Sequence, residues 1–330
     1  MAIVSRQERA PDAVPTRRGA DLPLRRLAFR AMATQCEVQY TAPAGNDQAK
    51  RFEAAAQGWV HAFEAKFSRF QPGSVVSKIN EAAGREWVPV DAETEGLLSM
   101  CDTLHFMTRG ILDPSALPLI RIWDGKADPP AIPTPEAIAA ALSLVGWTKV
   151  KREPGRVFLP QEGMALDFGG FGREYAVDLV SLIAKDHGIL DSLVGFGRDL
   201  RATGAPPGGA VWRIGLEDPG NPDETLGSVG LTGNAVASSG NDLRPSALEG
   251  RRHGRIINPR TGWPVANGCT QATVIADTCL QAGMLSVSAF IAGVEQGLEL
   301  IRSCPGAEGI ILTGSERAQT RGFFNFVAST

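Results

Sequence analysis

The run Ala165-Leu166-Asp167-Phe168-Gly169-Gly170-Phe171-Gly172-Arg173-Glu174-Tyr175-Ala176-Val177-Asp178 changes character twice. An apolar, strand-like lead-in ends on a carboxylate. Three glycines then fall within four positions, and a helix opens behind them. Glycine lets backbone N–H groups come close to a ligand, and a helix start leaves such donors unpaired. Together they suit an anion such as a phosphate or pyrophosphate. A glycine-rich turn that only reverses the chain has the same spelling.

Working outward, a helix is expected over Glu174–His187. It is followed by short strands at Leu193–Phe196, Trp212–Leu216, Ser228–Thr232, Ala235–Ser239 and Arg255–Ile257. Upstream, residues 28–40 alternate loosely, as a strand does. Phe52, Ala55, Ala56, Trp59, Phe63 and Phe67 recur at helical spacing within Asp47–Phe70. A second helix is expected over Ala92–Thr108, stopping at Gly110. Thr134-Pro135-Glu136 spells a third helix start: a capping hydroxyl, a first-turn proline and an acid beside the dipole. Helices near Thr278–Ala292 and Glu295–Arg302 and a strand at Gly309–Leu312 complete the pattern. Helices at both ends of a strand-rich middle predict an α+β fold, not a regular β–α alternation.

The 330 residues, 43% hydrophobic, are enough to bury a large core. A net charge of -3 gives no electrostatic case for nucleic acid. Cys36, Cys101, Cys269, Cys279 and Cys304 form no C-x-x-C pair, and the four histidines are dispersed. Zinc-type spacing is therefore absent, and the usage fits a reducing compartment. Residues 1–25, rich in arginine and proline, read as a disordered arm ahead of one domain over 26–330. No apolar run follows Arg17-Arg18, and none reaches the ~18 residues of a membrane span. A cytoplasmic protein is expected.

Several blocks occur in one order. They include Met32-Ala33-Thr34, Phe67-Ser68-Arg69-Phe70 with Ser74 and Asn80, and Gly110-Ile111-Leu112-Asp113-Pro114 with Pro118-Leu119 and Trp123. Leu144-Val145-Gly146-Trp147, the glycine turn, Gly197-Arg198-Asp199 and Val236-Ala237-Ser238-Ser239-Gly240 follow. Ile256-Ile257-Asn258-Pro259-Arg260-Thr261-Gly262 and Val274-Ile275-Ala276 come last. In this the chain resembles the ApbE family, the FAD:protein FMN transferases, from about residue 28 to 325.

The resemblance implies an FAD-binding α+β fold with a mostly antiparallel sheet. It also implies transfer of FMN from FAD to a threonine or serine of a target flavoprotein, with release of AMP. By position, Met32, Phe70, Ile111, Leu112, Asp113, Asp167, Gly169, Gly170, Arg173, Ile256 and Ile257 are the expected FAD contacts. The residues leave alternatives open. Phe70 offers a face for stacking or belongs to the core. Asp167 accepts hydrogen bonds from adenine or ribose or only caps the turn. Arg173 is a phosphate fork or a solvated helix residue.

The departures from the family cluster at the chemistry. The usual metal-binding Asp and Thr positions are Gly283 and Val287, in a late-helix segment aligned as Val274 to Val287. That leaves the Gly170 backbone carbonyl as the remaining metal ligand and puts Mg²⁺ dependence in doubt, because hard cations want oxygen. The usual catalytic histidine is Arg255, which stays protonated. His253 is the candidate replacement base, two positions earlier on the expected strand. Glu174 replaces a common glycine, Arg173 a common lysine, and Asn258 a common aspartate. Three functions remain in view: an FMN transferase with a rearranged site, a flavin-binding carrier, regulator or scaffold without transfer, and an FAD pyrophosphatase using water.

Overall fold

The computed structural model describes residues 22–45, 47–124, 132–221, 224–240, 246–248, 251–314 and 316–328, with 246–248 and 251–253 described by backbone alone. The chain opens with a hairpin, β1 (Leu24–Ala31) and β2 (Thr34–Thr41). It continues through α1 (Asp47–Phe67), α2 (Val75–Glu81), the short β3 (Val88–Pro89), α3 (Ala92–Met107), α4 (Leu117–Trp123) and α5 (Pro135–Ser143). Strands β4 (Lys151–Glu153) and β5 (Arg156–Phe158) join β3 in a small sheet. Then come α6 (Gly172–Asp186), β6 (Ser192–Phe196), β7 (Asp199–Thr203), the β8 (Trp212–Glu217)–β9 (Thr225–Leu231) hairpin and β10 (Ala235–Gly240). The chain ends with β11 (Ser246–Leu248), β12 (Arg251–His253), β13 (Cys269–Ala276), α7 (Cys279–Ala292), α8 (Val294–Arg302), β14 (Glu308–Thr313) and β15 (Arg317–Gln319).

The main sheet has eight strands in the order β1-β2-β6-β7-β10-β13-β14-β15. Every neighbouring pair is antiparallel. The fold is the expected α+β architecture. Strand alternation divides the core: Ala237, Ala272 and Val274 face the helices, whereas Val236 and Ile275 pack under Trp212 and Val229 of the β8–β9 hairpin. Helices α1 and α6 share a second apolar cluster with β1, β2 and β6, in which Phe52, Val177 and Phe196 are fully buried.

Four local expectations are corrected. Residues 28–40 are two strands, not one, because Met32 and Ala33 both adopt left-handed backbone (φ 52° and 57°) and reverse the chain. That conformation normally calls for glycine or asparagine, so the sequence hides the turn. Arg255–Ile257 is not a strand. Here Asn258 closes a tight turn, its carbonyl accepting from Gly262 N–H at 2.8 Å, and only Ile257 bridges to Pro264. The same-face argument from His253 to Arg255 therefore lapses. Val274–Ala276 ends a buried central strand rather than starting the late helix, which begins only after the Thr278 cap. Ala165-Leu166 lies outside any named strand, and Ala165 makes a lone bridge to Ala116. Strand β1 already begins at Leu24, and most of the expected arm lies outside the described residues.

The glycine turn is held from three sides. The Asn80 side chain imitates a neighbouring strand, donating to Leu166 O at 2.9 Å and accepting from Leu166 N–H at 2.6 Å. Pro114 O accepts from Asp167 N–H at 2.8 Å. Behind the turn, Asp178 of α6 docks α7: its carboxylate accepts from the backbone N–H groups of Cys279 and Leu280, each at 2.9 Å, and from Arg201 at 2.6 Å. A carboxylate at the open first turn of α7 satisfies orphan donors and complements the helix dipole.

Candidate functional site

A cleft of about 220 Å³ opens at the start of α6. Met32, Phe70, Asp167, Gly169 and Arg173, separate in sequence, all line it. Its floor is aromatic, with Phe63 stacked on Trp59 at 5.1 Å between ring centroids. Met32 reaches it from the strained β1–β2 turn, whose backbone is fixed by Met32 N–H donating to Glu64 at 2.9 Å. Left-handed backbone at two successive non-glycine residues is costly and persists where the surroundings over-determine it.

The α6 N-terminus has no side-chain cap, and Gly172 and Arg173 of its first turn line the cleft. Gly172 N–H already donates to Phe168 O at 2.7 Å, so what the helix start turns toward the cleft is the positive end of its dipole and the Arg173 side chain. Asp167 shapes this turn from within. One of its carboxylate oxygens accepts from Gly169 N–H at 3.0 Å, and the other lies 3.2 Å from Arg69 Nε. A Cβ at Gly169 would stand 3.2 Å from both oxygens, so glycine leaves room for this turn, while Gly170 has open space at its Cβ position and does not line the cleft. Phe70 is 68% exposed and does not belong to the core. The Arg69 guanidinium lies over its ring, 4.1 Å from the centroid. Arg173 reaches Asp199, with Nε 3.5 Å from Oδ2, and remains half-exposed.

Other expected site residues do not line this cleft. Leu112 is buried in the core, with Ile256 packed against the same cluster, and Ile257 packs near Trp123 and Ile138. Ile111 is only partly buried. Asp113 is engaged internally, accepting from Ser115 N–H at 2.8 Å and Trp147 N–H at 3.1 Å. It locks the Gly110–Pro114 block to the Leu144–Trp147 block. Arg255 is exposed beyond β12, and His253 ends that strand, its side chain outside the described residues.

At the usual metal positions, Val287 packs against the main core and Gly283 is buried. Among the described residues, no group of three or more His, Cys, Asp and Glu is arranged around a metal. The space beside Gly283 is nevertheless filled by a carboxylate: a Cβ built there would collide with Glu174 Cγ and stand 2.8 Å from its Oε1. Glu174 is 7% exposed, and its Oε2 has no hydrogen-bond partner. Burial, followed by the nearby Asp199 charge, pushes its proton affinity well above the ordinary carboxylate range. An orphaned, buried carboxylate oxygen fits a hard cation.

Sequence reasoning missed the partnership of Glu174 with Gly283 and the docking role of Asp178. Each departure at 174 and 283 is visible alone. Their complementarity exists only because two helices far apart in sequence meet side by side.

A model of the ApbE family matches residues 32–311. A FAD:protein FMN transferase of Klebsiella pneumoniae (strain 342) is 27% identical over 267 residues, covering 78% of this chain and 76% of its own. One from Vibrio cholerae is 24% identical over 275 residues, covering 82% of each chain. Among solved structures, the ApbE protein of Thermotoga maritima matches with a TM-score of 0.84 at 28% identity, over 93% of this chain and 100% of that one. The flavin transferase ApbE from Vibrio cholerae has the same fold, with a TM-score of 0.81 at 21% identity. With the match running from the β1–β2 turn into β14 and taking in the cleft, the chain belongs to the ApbE family.

Proposed function

We propose that the protein binds FAD in the cleft at the start of α6 and transfers its FMN half to a threonine or serine hydroxyl of a target flavoprotein, releasing AMP. One observation carries the reading: Met32, Phe70, Asp167, Gly169 and Arg173 converge on one cleft at an uncapped helix start. The FMN transferase names of the relatives support it.

In the reaction, the acceptor oxygen forms a bond to the phosphorus of the FMN half. The bond from that phosphorus to the bridging oxygen breaks, and AMP leaves with the electron pair. The α6 N-terminus and Arg173 hold the pyrophosphate by dipole and charge. Phe70, backed by Arg69, offers a flat face to a ring system. Arg255 stands outside the cleft, and its guanidinium suits phosphate oxygens and not the acceptor's proton. His253 is the candidate base. A divalent ion, when bound, would offset charge on the phosphate oxygens, and Glu174 with the Gly170 carbonyl would hold it.

The test is incubation of the full chain with FAD, Mg²⁺ and an acceptor bearing the family's target threonine. A mass gain of one FMN on the acceptor, with AMP released, is the expected result. FAD binding without any mass gain supports the second reading, a flavin-binding protein without transfer, which Gly283 and Val287 favour by lacking ligating side-chain oxygens. Free FMN plus AMP would indicate hydrolysis.

A further inference from the structure

We infer that Glu174, on α6, is the carboxylate that anchors a divalent cation for the pyrophosphate, in the space that Gly283 leaves open on the facing helix α7. The inference rests on the FAD-binding reading above.

Three observations converge on Glu174. The first is steric. Because a Cβ at Gly283 would collide with Glu174 Cγ, an acid at 283 has no room while Glu174 keeps this conformation. The chain holds a carboxylate in this volume from α6 instead of from α7. The second is hydrogen bonding. Glu174 is almost wholly buried, yet its Oε2 has no partner, and buried polar atoms seldom stay unpaired without a ligand or a function.

The third is charge. Asp199 and Asp178 lie close enough to act on Glu174, and the Arg173 charge opposes them. Arg201 is held by Asp178 at 2.6 Å, and Arg173 Nε lies 3.5 Å from Asp199. No ion pair is formed by Glu174 among the described residues. An acid buried beside two others, with no ion pair of its own, is a place where an entering cation offsets crowded negative charge.

The ligand chemistry is also suitable. Mg²⁺ is commonly held by one or two protein carboxylates, with substrate phosphates and water completing its shell. A single protein carboxylate is therefore enough; Glu174 does not itself line the cleft but lies just behind it, one residue after the cleft-lining Arg173. Neutral oxygens lie close by on α7: Ser286, three residues beyond Gly283, donates to Gly283 O at 3.0 Å and pairs with Ser239 at 2.8 Å.

The experiment uses Mn²⁺ as a paramagnetic probe on the full chain. Free Mn²⁺ is read by electron paramagnetic resonance, with and without FAD, while FAD binding is read separately by flavin fluorescence. Wild type is expected to bind one Mn²⁺, more tightly with FAD present. Glu174→Gln, nearly isosteric, should weaken Mn²⁺ by at least about tenfold. The exchange Glu174→Gly with Gly283→Asp should regain it by returning the carboxylate to α7, whereas Gly283→Asp alone has no room.

Unchanged Mn²⁺ affinity in Glu174→Gln, or no Mn²⁺ on wild type with FAD in place, overturns the inference and leaves the FAD reading standing. If FAD itself does not bind, the transferase reading falls instead. The flavin-free Mn²⁺ titration of wild type against Glu174→Gln then decides the inference alone: a Glu174-dependent site upholds it, and its absence overturns it. Thermal melts confirm that each variant is folded. If Glu174→Gln is not, Glu174→Asp, which retracts the charge, should show the same loss.

Discussion

Ala33 follows Met32 through left-handed backbone with an exposed side chain, so it carries the strain of the β1–β2 turn without a packing reward. Ala33→Gly relieves the Cβ clash at the expense of a freer unfolded chain, and should stabilise by roughly 0.5–1 kcal/mol in a urea titration. A loss of stability would show that the methyl group packs. Phe70 poses the opposite case. It is exposed, so Phe70→Ala should leave the denaturation midpoint unchanged yet weaken FAD binding by ~1 kcal/mol, read by fluorescence titration. Unchanged affinity would return Phe70 to the plain surface. Residue identity alone left Phe70 divided between core and ligand, and the structure removes the core alternative. Asp167 caps the turn through Gly169 and also lines the cleft. What identity cannot carry is environment. Glu174 is only a replacement for a common glycine in the sequence until the facing Gly283 shows it buried, with one oxygen unpaired.

Helices with local signals were legible. Thr134 caps α5 as its spelling predicts, accepting from Ala137 N–H at 3.2 Å, and the periodic apolar face of α1 is the buried one. Elements set by distant partners were not. The Ile256-Ile257 pair has strand composition, yet the Asn258 turn folds the chain back on it, so Ile256 O accepts from Val265 N–H at 2.9 Å and Ile257 makes a lone bridge to Pro264. Helix α3 shows how local an element's stability can be. Asp91 accepts from Thr94 N–H at 3.0 Å and from Lys66 at 2.6 Å. The Lys66 bond, followed by those from Thr94, holds the Asp91 carboxyl below its usual range. The sign follows from linkage: a depressed folded-state value gives stability that is present above the unfolded value of 3.8 and lost as pH falls below it. Asp91→Ala should therefore cost ~1 kcal/mol near neutral pH, and the gap to wild type should narrow in acid. Most of that cost is the cap, because the side chains of Lys66 and Asp91 are 29% and 59% exposed and solvent screens their pair. A gap independent of pH would assign the effect to propensity alone.

Across the whole molecule, the site depends on how α6 is seated between the sheet and α7. Asp178 makes that joint, binding two backbone donors of α7 and Arg201 of β7. Its position one turn beyond Glu174 means that the same docking sets the Glu174–Gly283 contact. Asp178→Ala leaves a mostly buried guanidinium and two helix-start donors unsatisfied, so it should cost about 3–5 kcal/mol in denaturant unfolding. The double variant Asp178→Asn with Arg201→Met should lose clearly less than Asp178→Ala, because no buried charge is then left without a partner. It should also keep α7 docked through the Asn carbonyl oxygen. In Asp178→Ala the loosened joint should weaken FAD binding as well as the fold, although Asp178 itself does not line the cleft. A cost near 1 kcal/mol would mean that water already reaches the pair and the joint is held by packing. A full stability loss with unchanged FAD affinity would separate the joint from the site.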